Sequence, residues 1–165
     1  QDDAPTKVSK LFTAAPTGIS WADAGFVQPF LNRLNTTLTF GATEYVGRRY
    51  SERSTNTGAG GRTSTNVILS TTRGELVIAP ASGKIDLAED LGGDYGTTLV
   101  IDHGAGVRTI FYGLSDIDIK AGQQVKQGQT LATCGKTTVV EMRIGTVPID
   151  PIAVWRGQCN GLKYY

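Results

Sequence analysis

His103 is the single histidine of this chain, and that alone narrows the chemistry open to it. A catalytic zinc takes three protein ligands, His almost always among them, and keeps a fourth position for water. One imidazole cannot supply such a set. Cys134 and Cys159 do not repair the deficit, because no CxxC spacing occurs and no histidine lies near either cysteine. Ser-His-Asp catalysis would need His103 to meet a nucleophile, and no GxSxG elbow is present. The setting of His103, within DHGAG, reads as a turn, so the imidazole is expected to be structural or solvent-exposed. Asp102 and Arg108 beside it can form a surface ion pair worth ~0–1 kcal/mol. Asp116 and Asp118 alternate along a strand and share one solvated face, whereas the carboxylates of a glycosidase come from separate elements. The run GAGG at 58–61 lacks the Lys-Ser/Thr and the strand-loop-helix setting of a phosphate loop.

The two cysteines have a bland reading, as buried thiols, and a sharper one, as a disulfide. An even count suits an oxidising compartment, and Cys159 lies in a Gly-rich tail that needs anchoring. A Cys134–Cys159 bridge is therefore expected, contributing about 3 kcal/mol in the chain-entropy account.

The elements that carry these residues fall into three stretches: 1–50, an N-terminal arm, short helix and first strand; 51–64, a flexible loop; and 64–165, the main domain. Residues 1–20 are polar, hold Pro5 and Pro16, and read as a loosely held arm. Between Trp21 and Leu34 apolar residues recur near helical spacing, with Ser20 as N-cap and Pro29 as a break. Thr36–Phe40 alternates as a short strand, and 51–64 contains no large apolar residue. From Asn66 onward short Val/Ile/Leu segments are separated by Gly turns, among them GGDYG and DHGAG, which should join antiparallel strands. The expected fold is mostly β: an antiparallel sheet or barrel-sandwich hybrid with an N-terminal arm and a short helix. A net charge of +1 gives no electrostatic case for nucleic acid or an anionic membrane. No apolar run approaches the ~20 residues of a membrane span. The chain opens at Gln1 with no visible signal peptide and reads as a mature form or a cut piece.

Three segments carry a resemblance. They are GELVIAPASGKI (74–85), GGDYGTTLVIDHGAGVRTIFYGLSDIDIKAGQQVKQGQTLATCG (92–135), and EMR followed by PIDP (141–151). In this order they resemble the LytM/lysostaphin-type zinc endopeptidase domain over a little over half of the chain. The resemblance puts Ser64 and Ile68 where that family has its first His and Asp. It puts Gly113 at the His before Leu-Ser, and Thr137 and Val139 at the His-x-His before the closing Glu. It implies a degenerate domain without catalytic residues, metal or cofactor. Its groove, around Ser64, Ile68, Gly113, Thr137 and Val139, would still bind. The function implied is that of an inactive, amidase-activator-like domain of the cell envelope, periplasmic or extracytoplasmic. In cell division it would bind and regulate a peptidoglycan hydrolase. The alternative is a scaffold domain that binds another envelope protein, or peptidoglycan itself, without regulating hydrolysis. A residual hydrolase is the third reading. A polar loop at 51–64 running into Ser64 could gate the groove.

Overall fold

The computed structural model describes residues 4–21, 25–31, 67–93 and 95–155. The Gly-punctuated Val/Ile/Leu segments form eight strands: β1 (Val67–Ser70), β2 (Leu76–Ile78), β3 (Gly83–Asp90), β4 (Thr97–Gly104), β5 (Val107–Ile117), β6 (Gln124–Val125), β7 (Thr130–Ile144) and β8 (Val147–Ile149). Two helices flank them, α1 (Ala4–Phe12) and α2 (Pro151–Trp155). All strands pair antiparallel in one sheet of order β1-β7-β5-β4-β3-β6, and β2 and β8 also pair with β7. The mostly β antiparallel fold expected from the sequence is thus the one observed. GGDYG joins β3 to β4, and Ala105-Gly106 forms the two-residue turn between β4 and β5 with positive φ at both positions (53° and 81°). Paired positive φ is what a tight hairpin twisted like its strands requires.

Alternation divides the sheet into two apolar faces. One carries Leu69, Leu99, Ile101, Phe111 and Val140, and it is closed by Phe30 and Trp155, whose rings meet edge-on at 6.3 Å. The other carries Leu87, Val100, Ile110, Tyr112 and Val139, and α1 lies on it with Val8 and Phe12 buried in the same cluster. Phe111 and Val140 therefore face the main core. Their neighbours Tyr112 and Val139 face α1.

The N-terminal region departs most from expectation. Residues 4–21 are not a loose arm. Val8, Leu11 and Phe12 fall at the spacing of one helix face, and that face meets the sheet. Lys7 Nζ reaches Glu89 Oε2 at 2.8 Å. Two short backbone bonds, Thr13 N to Lys10 O and Ala14 N to Leu11 O, end the helix. Pro16 keeps the preceding residue out of helical geometry. The chain then runs along the β4–β5 turn: Ala105 N donates to Thr17 O at 2.8 Å and Ser20 N to His103 O at 2.8 Å. Gly104 is required at this crossing. It sits at φ 99°, and a Cβ there would strike the carbonyl oxygen of Gly18.

The helix expected from Trp21 to Leu34 does not form over its described part. Residues 25–29 lack regular structure, and Phe30 makes a β-bridge to Val77. Trp21, Phe26 and Phe30 are buried because the sheet and α2 receive them, which explains an apolar spacing without a helix. The strand at 36–40, the loop at 51–64, Ser64 and Cys159 lie outside the described residues. Cys134 is buried within the main core.

Phe12→Ala should remove the largest contact of α1. The expected cost is about 2–3 kcal/mol of stability from lost burial, measured by urea unfolding together with loss of amide protection in 6–12. Unchanged protection there would contradict the packing described.

Candidate functional site

Three strands bring together the positions that resemble metal and catalytic residues. β1 pairs with β7 so that Ile68 is opposite Val139 and Ser70 opposite Thr137. On its other edge Val139 pairs with Tyr112 of β5. Between the pairs Tyr112–Val139 and Leu114–Cys134, residues 135–138 of β7 bulge out against the single residue Gly113. Gly113 adopts φ 76°, and a Cβ on it would run into the carbonyl oxygen of Thr137. Gly135 is equally confined, its Cβ position lying 2.6 Å from Gly113 O. Thr137 is exposed and Val139 is buried. The backbones of Ile68, Gly113, Thr137 and Val139 thus meet at one place on the sheet. Ser64 is outside the described residues.

This donor set does not fit a zinc ion. Gly113 has no side chain and no room for one. Val139 offers methyl groups within the cluster under α1. Among the described residues no three His, Cys, Asp or Glu side chains gather closely enough to hold a metal. Polar chemistry on this face is instead internal. Glu141, 3% exposed, accepts from Tyr112 Oη at 3.0 Å and from Arg143 Nε at 2.7 Å. Arg143 in turn lies over the Phe12 ring at 4.7 Å from its centre. A buried carboxylate needs such donors. The sequence carries a trace of this in Val139-x-Glu141-x-Arg143, whose period of two puts all three on one face.

His103 is fully buried, which excludes the solvent-exposed reading and supports the structural one. Its Nδ1 lies 2.9 Å from Ser82 O and its Nε2 2.8 Å from Thr109 Oγ1. A carbonyl only accepts, so Nδ1 carries the proton and the Thr109 hydroxyl donates to Nε2. Phe26 meets the ring edge-on at 4.9 Å. The ion pair beside it is likewise buried rather than superficial. Arg108 is 2% exposed, with Nε 3.0 Å from Asp86 Oδ2 and Nη2 3.7 Å from Asp102 Oδ2. Burial pushes the Asp86 carboxyl above its ordinary range, against the lowering pull of its hydrogen bond from Arg108. Asp116 and Asp118 are exposed, as their alternation suggested.

Burial pushes His103 down to about 4 from an ordinary 6.5, although its bond to Ser82 and the charge of Asp102 act the other way. Between those values the unfolded chain binds a proton that the folded chain does not. His103 therefore contributes stability that is fully present above about pH 6.5 and is lost as pH falls towards 4. Roughly 3 kcal/mol is at stake at 1.36 kcal/mol per pH unit. Urea unfolding between pH 7 and 4 should show this slope, and His103→Gln should flatten it. An equal slope in both proteins would contradict the assignment.

Residues 62–151 match the Peptidase family M23. A Haemophilus influenzae protein named as an uncharacterised metalloprotease is 32% identical over 95 residues, covering 53% of this chain and 20% of that protein. The chain thus spans about a fifth of that relative's length. A candidate M23 peptidase from Pseudomonas aeruginosa has a similar structure, with TM-score 0.64 and 21% identity over 93% of this chain and 59% of that one. Helicobacter pylori Csd3 superposes at TM-score 0.57 and 19% identity, over 79% of this chain and 33% of that one. The catalytic domain of lysostaphin from Staphylococcus simulans gives TM-score 0.53 and 22% identity, over 61% and 85%. At these identities the structures show a shared fold. Since the family match spans more than half of the sequence, the chain belongs to peptidase family M23.

Proposed function

We propose that this chain is a catalytically inactive M23 domain of the cell envelope that binds a peptidoglycan hydrolase of the amidase type and regulates it. One observation carries the inactive part of this reading. At the position that resembles a catalytic histidine, Gly113 has a left-handed backbone pressed against Thr137 O, so no side chain can stand there. Loss of the metal set leaves an apolar face, and such a face suits a protein partner better than it suits hydrolysis. The contact surface in this proposal is centred on Ser64, Ile68, Gly113, Thr137 and Val139. Because α1 lies over the Val139 and Tyr112 end of that face, a partner docks beside α1 or displaces it. Among the described residues no helix is long and apolar enough to cross a membrane. An extracytoplasmic setting is also the one in which a Cys134–Cys159 bridge would persist.

The position of α1 equally favours a second reading. A groove filled by the chain's own helix belongs to a scaffold domain that holds another envelope protein, or peptidoglycan, without altering hydrolysis.

Peptidoglycan digestion separates these readings. The chain alone should release no fragments and should retain no stoichiometric zinc after mild chelation. Added to a candidate amidase, it should raise the digestion rate several-fold. Digestion by the zinc-loaded chain alone would overturn the inactive assignment. Capture of the amidase with an unchanged rate would favour the scaffold. Thiol titration of the oxidised chain after unfolding, without reductant, should find neither cysteine reactive, and two reactive thiols would refute the bridge.

A further inference from the structure

Residues 17–21 fasten the β4–β5 turn from outside. Ala105 N donates to Thr17 O and Ser20 N to His103 O, both at 2.8 Å. Trp21 completes the contact. Its ring lies 5.5 Å from that of Phe26, which in turn meets His103 edge-on at 4.9 Å. The segment has no regular secondary structure of its own, so it keeps its place through these contacts with the turn.

His103 makes this contact sensitive to acid. Ser82, whose carbonyl accepts from Nδ1, adjoins β3, and Thr109, whose hydroxyl donates to Nε2, lies within β5. A proton on Nε2 turns that atom from acceptor to donor. The Thr109 hydroxyl must then reverse, and a cation stands fully buried beside Phe26. Among the described residues, the charge that acts on the ring is that of Asp102 on β4. Asp102 is already engaged by Gly104 N, by Thr17 Oγ1 and by Arg108 of β5, which also pairs with Asp86 of β3. The remaining neighbours bring no charge, since Ser82 offers a carbonyl, Thr109 a hydroxyl and Phe26 an apolar ring. Both ring nitrogens are held by residues tied to the sheet. The imidazolium therefore reaches water where the irregular cover lifts.

We propose that residues 17–21 are an acid-released latch, unfastened from the β4–β5 turn when His103 takes up a proton. Burial holds the closed ring to about 4, against an ordinary 6.5 once it is open to water. The open form therefore gains from proton uptake as pH falls below 6.5, and its population rises about tenfold per pH unit until the closed ring also titrates. The consequence reaches α1. While the latch is closed, residues 13–16 are the whole tether between α1 and the turn. Release lengthens that tether and lowers the effective concentration of α1 over Tyr112 and Val139. Acid thereby bares the face assigned above to a partner. That last step rests on the hydrolase-regulator reading, and the latch itself does not.

Amide hydrogen exchange of the intact chain between pH 7 and 4, corrected for the intrinsic pH dependence of exchange, tests the latch. The amides of Ser20 and Ala105 should open at least about tenfold more often than those of Phe111 and Val140 at every pH. That opening should grow about tenfold per unit below pH 6.5. It should hardly respond to dilute urea, because a local event exposes little surface. Phe26→Ala strips a ring from the imidazole, so the titration of His103, followed in its own ring signals, should move from about 4 towards 6.5. Opening at Ser20 and Ala105 that ignores pH, exchange there only in step with Phe111 and Val140, or a Phe26→Ala chain whose His103 still titrates at about 4 would each overturn the proposal.

Discussion

Main-chain hydrogen bonding along β7 holds the molecule together. This strand, Thr130–Ile144, is bonded on one edge to β5 over almost its whole length, and on the other it receives β2, β1 and β8 in turn. Four strands, three of them earlier in the sequence and β8 following directly, thus acquire their register from one. Unpaired backbone groups in an interior are costly, so the register is enforced wherever β7 is buried. α2 and the bridge from Phe30 add to the same framework through β2 and the core beneath it.

The register would mean little without the irregularity at Gly113. Strict alternation after Phe111, which faces the main core, and Tyr112, which faces α1, would turn Leu114 towards α1. Leu114 belongs to the main core instead. The bulge of 135–138 against Gly113 reverses the alternation, and the left-handed glycine makes that reversal possible. The same feature that completes the core leaves no space for a side chain at position 113. Core packing and the bare backbone at that position are therefore one structural fact.

Beneath α1 the sheet buries charge as well as apolar surface. Tyr112, Glu141 and Arg143 satisfy one another under Phe12, and Arg108 holds Asp86 and Asp102 beside the turn that anchors the arm. Removing one member of such a group strands the others in a dry setting, so these residues constrain the face more tightly than its apolar positions do. Val8 and Phe12 have a different role. They close a surface that would otherwise expose Tyr112 and Val139 to water.

Much of this was readable from residues alone. The strand segments after Asn66, the turns GGDYG and DHGAG, and the solvated pair Asp116 and Asp118 all follow from local rules. Period-two alternation and paired glycines depend on neighbouring residues only. The tertiary structure decided the rest. A nine-residue helix is marginal in isolation, so Ala4–Phe12 is helical because the sheet offers an apolar face, and no local pattern announces that face. Trp21, Phe26 and Phe30 imitate helical spacing, yet each is placed by a pocket built from later strands. His103 and Arg108 sit beside a turn that sequence marks as surface. They are buried because the arm crosses it, and a contact between residues 17–20 and 103–105 is written in neither segment by itself.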